Sequence, residues 1–258
     1  MMTGRFPVVV VAGLCVAGFV SGAARADGVV QAQESNVAKV FRVVPVRPVA
    51  ELLQEARQAS PPLQAAGLRK PDLVDLATLS PDFRFDVRYA TSRNFLGVPV
   101  YSSSHAFMER PAAEALGRVL GALRAQGYGL LVFDAYRPWY ITKVFWDATP
   151  ADKHRFVANP DPGSMHNRGC AADLTLYDLR TGEPVSMPSG YDEMTARAYS
   201  DYPGGTAAER AAREVLRKAM MREGFLPIPE EWWHFDYKDW ALYPVQNMRF
   251  EDIGPSGR

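Results

Sequence analysis

The sequence predicts an α+β fold, a single domain with a central antiparallel or mixed sheet flanked by helices. The chain has 258 residues, 47% of them hydrophobic, so it is long enough to bury one sizeable core. Segments with strand character and segments with helical character follow each other without the regular alternation that a parallel doubly wound sheet requires. The length allows a single domain, and the missing alternation favours α+β over the α/β class.

The first 26 residues have the layout of a secretory signal peptide. Arg5 precedes an apolar run at 6–20 that is shorter than a membrane-spanning helix needs, and small residues lead up to Ala26. We therefore expect cleavage after Ala26 and export, with the periplasm as the destination and no membrane contact afterwards. A retained membrane anchor is the alternative. The mature chain would keep one cysteine, Cys170, and so could form no internal disulfide.

The charge balance argues against nucleic acid as a partner. Lys and Arg together number 29, equal to Asp and Glu together, so no strong field would recruit a polyanion or an anionic lipid surface. A small neutral or zwitterionic molecule is the expected partner, and the composition does not indicate an oligomeric state.

Domain boundaries follow from a change in composition. Residues 27–70 are rich in Gln, Ala, Val and Pro and predict an N-terminal extension or linker that holds one helix at 49–58. Patterns typical of a packed domain occupy residues 71–250, and 251–258 form a short tail.

The first elements of the domain are each marked by local signals. Aromatic or apolar residues alternate with charged ones at 83–89, which predicts a strand. Pro111 near the start and Gly127 at the end delimit a helix at 109–126. The apolar run at 130–133 predicts a buried strand.

The second half is predicted to contain a short helix, a turn-rich loop, a strand, a longer helix and a last strand, at 139–147, 158–164, 172–176, 206–223 and 232–237. Thr206 and Glu209 form a capping box for the longer helix, which stops at Gly224.

Two segments concentrate side chains that bind metals. Asp173 lies within the apolar strand 172–176 and faces one side of the sheet, where His166 can fold over it from the preceding glycine-containing loop. A buried carboxylate is costly unless a cation or several donors satisfy it. His234, in the second segment, supplies a third donor. Two imidazoles and one carboxylate leave a catalytic zinc an open position for water, so we expect a zinc site on the sheet.

Glu231 is the candidate general acid or base beside this metal site. Three positions along a strand put Glu231 and His234 on opposite faces, so this interpretation requires a bend near Glu231. Taken singly, each histidine is more often a structural residue than a ligand. By the same reasoning Asp192 alone suggests a solvated loop acid, and Arg137 alone a salt bridge at a strand end.

Four blocks occur in order along the chain: YAT with NFLG at 89–97, DAYRP at 134–138, HNRGCAADLTLY at 166–177, and EWWH at 231–234. In this order they resemble the zinc-dependent D-alanyl-D-alanine dipeptidases, which include enzymes associated with vancomycin resistance. The resemblance covers roughly residues 72–243. It implies one zinc ion per chain, with His166, Asp173 and His234 matching the ligands and Glu231 matching the catalytic base.

The resemblance also implies a substrate pocket. Arg137 matches the arginine that stabilises the oxyanion, and Asp192 matches the acid that holds the free ammonium group of the substrate. Tyr89 would assist Asp192. Ser164 matches a serine beside the substrate.

The implied activity is hydrolysis of free D-alanyl-D-alanine or a close D,D-dipeptide, in cell-wall metabolism or in glycopeptide resistance. Three alternatives stay open from the sequence. One is a zinc carboxypeptidase or endopeptidase that acts on peptidoglycan peptides, and another is a noncatalytic zinc-binding module. The third is a nonheme iron enzyme, although such enzymes usually place the acid two residues after the first histidine, and the separation here is seven.

Overall fold

The computed structural model describes residues 40–253, and the predicted signal peptide with its cleavage position after Ala26 lies outside them. Four helices are present in the described part: Val49–Ala56 (α1), Arg110–Arg124 (α2), Trp139–Ala148 (α3) and Ala207–Arg222 (α4). Seven strands accompany them: Leu73–Asp75 (β1), Arg84–Phe85 (β2), Phe107–Glu109 (β3), Tyr128–Asp134 (β4), Ala171–Asp178 (β5), Phe225–Pro227 (β6) and His234–Tyr237 (β7).

Five of the strands form a mixed sheet in the order β2-β4-β5-β7-β6. β2 runs parallel to β4, and every other neighbouring pair is antiparallel. β1 and β3 form a separate antiparallel pair. The predicted α+β class with a mixed sheet flanked by helices is confirmed.

The register at the centre of the sheet brings three polar side chains into one row. Asp134 at the end of β4 lies opposite Asp173 of β5, which in turn lies opposite His234 of β7. Directly opposed residues share a face of the sheet, so these side chains gather at one end of it. Leu174 and Leu176 alternate with Asp173, face the other side and are fully buried.

The helices cover the sheet as their apolar spacing predicts. α2 packs on β4 and α4, and α4 packs on β5 and β6. The capping box of α4 is present, with Thr206 and Glu209 bonded reciprocally. No helix of the described residues is long and apolar enough to cross a membrane.

Two predicted strands are shorter than their patterns suggest. Of 83–89 only Arg84–Phe85 is a strand, because the chain then turns into a 3-10 helix at Arg88–Ala90. The backbone carbonyl of Tyr89 accepts from the amides of residues 100 and 101 rather than from a sheet neighbour. The last strand begins at His234 instead of Trp232, since residues 231–234 form a turn.

The segment predicted as an extension contains structure that packs on the domain. α1 lies against α3, with Val49, Leu52 and Ala56 buried between them and the rest of the core. The amide of Val46 donates to the carbonyl of Ala148 at 2.9 Å. The division of the chain at residue 70 stays a prediction.

Candidate active site

Three buried side chains point their donor atoms at one spot. Nε2 of His166 lies 3.1 Å from Nδ1 of His234 and 3.3 Å from Oδ1 of Asp173, and Nδ1 of His234 lies 3.0 Å from the same oxygen. In a tetrahedral zinc site with bonds of about 2.0–2.1 Å, neighbouring ligand atoms are roughly 3.3 Å apart. The triangle therefore has the size of one face of a zinc tetrahedron, and among the described residues these are the side chains that form such a group.

Local structure explains how His166 reaches the sheet. It opens a 3-10 turn, His166–Arg168, that ends at Gly169 with a φ of 65°. The amide of Arg137 donates to the carbonyl of His166 at 3.1 Å, and Asn167 donates through Nδ2 to the carbonyl of Arg137 at 2.8 Å. The turn is thus tied to the end of β4, directly above the row of polar side chains.

The outer hydrogen bonds fix the tautomer of each imidazole. Nδ1 of His166 lies 2.6 Å from the carbonyl oxygen of Ala135, and Nε2 of His234 lies 2.8 Å from Oδ1 of Asp236. A carbonyl and a carboxylate can only accept, so these ring nitrogens carry the hydrogens and the opposite nitrogens are left to bind a metal. Burial alone would lower the pKa of His234, but Asp236 and Asp173 raise it well above its ordinary value.

Asp173 is suited to act as a charged ligand. Burial by itself raises the pKa of this carboxyl, yet His166 and His234 outweigh that effect and hold the pKa well below its usual range. An ionised carboxylate between two imidazoles is a donor set that zinc accepts. The residues present therefore fit a zinc ion.

The bend expected at Glu231 is present. The amide of His234 closes a turn onto the carbonyl of Glu231 at 3.3 Å, and β7 starts only after this turn. Oε2 of Glu231 lies 3.9 Å from Nδ1 of His234. Burial raises the pKa of Glu231 to about 8, with His234 opposing the rise and Asp173 reinforcing it. A carboxyl poised in this range suits proton transfer near neutral pH.

Arg137 is held rigidly by Asp134. Its Nε and Nη2 donate to Oδ2 of Asp134 at 2.9 and 2.7 Å, and its guanidinium lies 4.8 Å from the ring centre of Phe145. Burial would lower the pKa of Arg137, but Asp134 raises it well above its ordinary value, so the charge is permanent. The bonds to Asp134 use Nε and Nη2 and do not involve Nη1. The salt bridge that the sequence suggested for Arg137 alone exists, and the same side chain also lines the cavity.

Asp192 and Tyr89 meet on the other side of the cavity. The hydroxyl of Tyr89 lies 3.0 Å from both carboxylate oxygens of Asp192. Asp192 is the one non-glycine residue of the described chain with a left-handed backbone, at a φ of 58°. Such a conformation is strained and concentrates at functional sites. Burial raises the pKa of Asp192 well above its ordinary value, and the nearby Asp173 and Glu231 raise it further.

Ser164 is buried at the edge of this site. Its hydroxyl accepts from the amide of Asn167 at 3.3 Å, and its own amide donates to Oδ1 of Asn167 at 2.8 Å. This reciprocal pair stabilises the turn that carries His166, in addition to placing the serine on the cavity wall.

One cavity of about 340 Å³ joins all of the predicted site residues, which line it together: Tyr89, Arg137, Ser164, His166, Asp173, Asp192, Glu231 and His234. Five carboxyl side chains and two arginines are among its lining residues. Burial and neighbouring carboxyls raise the pKa of Asp192 and of Glu231, so these groups would gain from a cationic occupant of the cavity, such as a divalent metal ion or an ammonium group. The volume lies at the small end of the range for ligand pockets.

Sequence reasoning missed three supporting residues. Asp236 follows His234 by two positions on one strand, so strand parity could have placed both side chains on the same face. Asp134 begins the DAYRP block, but the sequence alone predicted no role for it. Tyr191 precedes Asp192 and gave no signal, because its contact with Asp173 forms only in the folded chain.

The chain matches a known protein family and curated proteins with the same description. The family model described as D-ala-D-ala dipeptidase, Peptidase_M15, matches residues 69–253. The chain is 34% identical to the D-alanyl-D-alanine dipeptidase of Escherichia coli K12, over 69% of this chain and 91% of that one. It is 38% identical to the D-alanyl-D-alanine dipeptidase of Enterococcus faecalis, over 65% and 91%. A solved structure of the vancomycin resistance D,D-dipeptidase VanXYg with a D-Ala-D-Ala phosphinate analogue is similar over 79% of this chain and 62% of that one, at 19% identity and a TM-score of 0.36.

Proposed function

Because the chain belongs to the Peptidase_M15 family of D-ala-D-ala dipeptidases, a family of hydrolytic metallopeptidases, we propose that it is a zinc-dependent enzyme that hydrolyses free D-alanyl-D-alanine. The observation that carries the proposal is the triangle of donor atoms from His166, Asp173 and His234, which shares one cavity with Glu231. These three residues would hold one zinc ion per chain.

Glu231 handles the proton in this proposal. When bound, zinc would act as a Lewis acid on the scissile carbonyl, lower the pKa of the attacking water and favour the ionised form of Glu231. Glu231 accepts the proton of that water and donates it to the amine that leaves. Glu231 precedes His234 by one backbone turn, so its carboxylate lies beside the three proposed ligands but is not one of them.

Arg137 and Asp192 act on the two ends of the scissile unit. Asp134 occupies Nε and Nη2 of Arg137, which leaves Nη1 to donate to the oxygen that becomes negative. Asp192 binds the free ammonium group of the substrate, with the hydroxyl of Tyr89 holding its carboxylate in place. Ser164 lines the cavity beside them.

The free ammonium group separates this function from a carboxypeptidase that acts on peptidoglycan peptides. Asp192 is a desolvated carboxyl among other carboxyls, so a bound ammonium is a strong partner for it, whereas a surface ion pair would contribute only about 0–1 kcal/mol. An N-acylated substrate carries no such charge and leaves Asp192 without its partner. We therefore expect free D-alanyl-D-alanine to be preferred.

The test compares release of D-alanine from D-alanyl-D-alanine and from its N-acetyl derivative. The zinc-loaded chain should hydrolyse the free dipeptide and discriminate strongly against the acetylated one. Asp192→Asn should lose most of this discrimination, whereas Asp152→Asn, at an exposed acid, should keep it. Equal rates on both substrates by the unmodified chain would favour the carboxypeptidase.

We further propose export and a role in cell-wall metabolism or glycopeptide resistance. The signal-peptide layout of residues 1–26 supports export, since Ala24 and Ala26 form an A-x-A cleavage pattern after an apolar segment. Mass spectrometry of the protein recovered from a periplasmic extract should give a chain that begins at Asp27. A full-length chain in the cytoplasmic fraction would contradict export.

A further inference from the structure

Tyr191 has a buried hydroxyl that contacts the metal-ligand cluster. Only 2% of the residue is exposed, and its ring stacks on Phe133 at 4.5 Å and meets Trp233 edge-on at 5.5 Å. The hydroxyl lies 2.9 Å from Oδ2 of Asp173. The aromatic neighbours leave the ring little freedom, so this hydrogen bond has a fixed direction.

The two oxygens of Asp173 have different surroundings. Oδ1 faces the imidazoles of His166 and His234, at 3.3 and 3.0 Å. Oδ2 accepts a hydrogen bond from the hydroxyl of Tyr191. Nη2 of Arg137 lies 3.7 Å from Oδ2 and is already bonded to Asp134. Tyr191 is therefore the group that holds Oδ2 away from the imidazoles.

The same hydroxyl also reaches the substrate side of the cavity. It lies 3.1 Å from the hydroxyl of Tyr89, which contacts Asp192. Tyr191 and Asp192 are consecutive, and consecutive side chains of a regular strand would diverge. Asp192 instead has a left-handed backbone, and the side chains of Tyr191 and Asp192 both reach the same site.

We propose that Tyr191 is a positioning residue that fixes the carboxylate of Asp173 so that Oδ1 alone is offered to the metal. The proposal rests on the proposed zinc function of the same site. It adds to that function a group that touches neither the metal nor the substrate and that acts through Asp173. Outer hydrogen bonds of this kind typically change metal affinity by about 10–100-fold when removed.

A core-packing role for Tyr191 makes a different prediction. Packing depends on the ring, which Tyr191→Phe retains, so a residue with only that role would leave zinc affinity unchanged. A positioning role depends on the hydroxyl, so the same variant would weaken zinc binding while the fold persists. The matched control is Tyr177→Phe. Tyr177 lies near the far end of β5, the strand that carries Asp173, and its hydroxyl donates to the carbonyl of Asp82 at 3.0 Å.

The experiment measures zinc affinity of the full chain by competition with a chromophoric chelator, for the unmodified protein and both variants. We expect Tyr191→Phe to bind zinc about 10–100-fold more weakly and Tyr177→Phe to match the unmodified protein. X-ray absorption should give one oxygen of Asp173 on zinc in the unmodified protein and a mixture with two-oxygen ligation in Tyr191→Phe. Rescue of activity in Tyr191→Phe by excess zinc would agree with a loss of affinity.

The outcomes separate the two proposals. If the unmodified chain binds one zinc and hydrolyses D-alanyl-D-alanine, but Tyr191→Phe has the same affinity and the same ligation, the positioning role is overturned and the enzyme assignment stands. If the unmodified chain binds no zinc at His166, Asp173 and His234, the enzyme assignment fails and the role of Tyr191 fails with it.

Discussion

Asp173 and Glu109 are two buried acids near the segment 166–169, and their pKa values are shifted in opposite directions. Asp173 lies against the imidazoles of His166 and His234, which hold its pKa well below the usual range. Glu109 is equally buried, but its partners are neutral: the amide of Asp72 at 2.8 Å and Nε2 of Gln246 at 2.9 Å. Burial raises the pKa of Glu109 to about 7. The partners of a buried acid, rather than the depth of burial, therefore decide the direction in which its pKa moves.

The two acids are joined through one turn of chain. The amide of Glu109 donates to the carbonyl of Gly169 at 2.8 Å, directly after the 3-10 turn that carries His166. A Cβ added at Gly169 would lie 2.6 Å from the side chain of Leu73 and 3.2 Å from Cγ of Glu109, so the glycine permits this close approach. Glu109 holds the backbone at Gly169, whereas Asp173 belongs to the cluster that could hold a metal ion.

The largest effect is expected at Glu231, the acid that we propose for proton transfer. Glu231→Gln keeps the shape of the side chain but cannot accept a proton, so kcat on D-alanyl-D-alanine should fall by about 10²–10⁴-fold while zinc stays bound. Glu230→Gln removes the same charge one residue away and should lose less than about 10-fold. Steady-state kinetics together with metal analysis check this pair, and retained turnover in Glu231→Gln would remove the residue from its role.

Arg137→Lys should have the next largest effect. The guanidinium holds Asp134 through Nε and Nη2 and still has Nη1 available, whereas a lysine ammonium at the same position cannot serve both partners in the same geometry. We expect kcat/KM to fall by about 10²–10³-fold, in line with the loss of an oxyanion donor. An activity within a few-fold of the unmodified enzyme would show that charge alone suffices.

Glu109 should affect stability and its pH dependence instead of catalysis. Its folded-state pKa of about 7 exceeds the ordinary value of 4.5, so between these values the folded protein binds a proton that the unfolded chain does not. The stabilising contribution is complete below about pH 4.5 and is lost as pH rises to about 7, by up to roughly 3 kcal/mol.

Glu109→Gln removes this titrating group. Glutamine has one acceptor oxygen where Glu109 uses two, and this loss changes the free energy of unfolding by an amount that does not vary with pH. The difference in free energy of unfolding between the unmodified protein and Glu109→Gln should therefore decline with pH over that window, as chemical denaturation at several pH values would show. Glu183→Gln, at an exposed acid, is the control. A difference that is independent of pH would mean that Glu109 is not the buried acid that titrates.

Asp236→Asn should produce the smallest of these effects. Asp236 accepts from Nε2 of His234 and makes the opposite ring nitrogen a better ligand, so the asparagine variant should bind zinc about 10–100-fold more weakly. Asp239→Asn, three residues further along, is the control, since Asp239 contacts Arg69 at 3.8 Å and not the histidines. Equal zinc affinity in both variants would reduce Asp236 to a structural partner.

The ligand cluster was predictable because its parts lie in short, patterned segments. Strand parity placed Asp173 on a sheet face, and the parity conflict between Glu231 and His234 required a bend that the structure contains as a turn. The residues around the cluster were harder to predict, since their contacts join distant parts of the chain. Glu109 reaches Gln246 across 137 residues, and nothing in the local sequence of either signals the pair.

The two shortened strands also depend on contacts between distant parts of the chain. Alternation at 83–89 is a genuine period-two pattern, but a strand also needs a partner backbone, and beyond residue 86 the chain bonds to residues 100 and 101 instead of β4. Periodicity reports which side chains are buried, whereas the register and the length of a strand depend on its neighbours.

Diffraction data collected at the zinc absorption edge from crystals of the zinc-loaded chain test the central claim most directly. We expect one anomalous peak, about 2.0–2.2 Å from Nε2 of His166, Nδ1 of His234 and Oδ1 of Asp173, with the carboxylate of Glu231 near it but not bound. A peak held by other side chains, or no peak in a preparation that still hydrolyses D-alanyl-D-alanine, would contradict the assignment of this cluster as the catalytic metal centre.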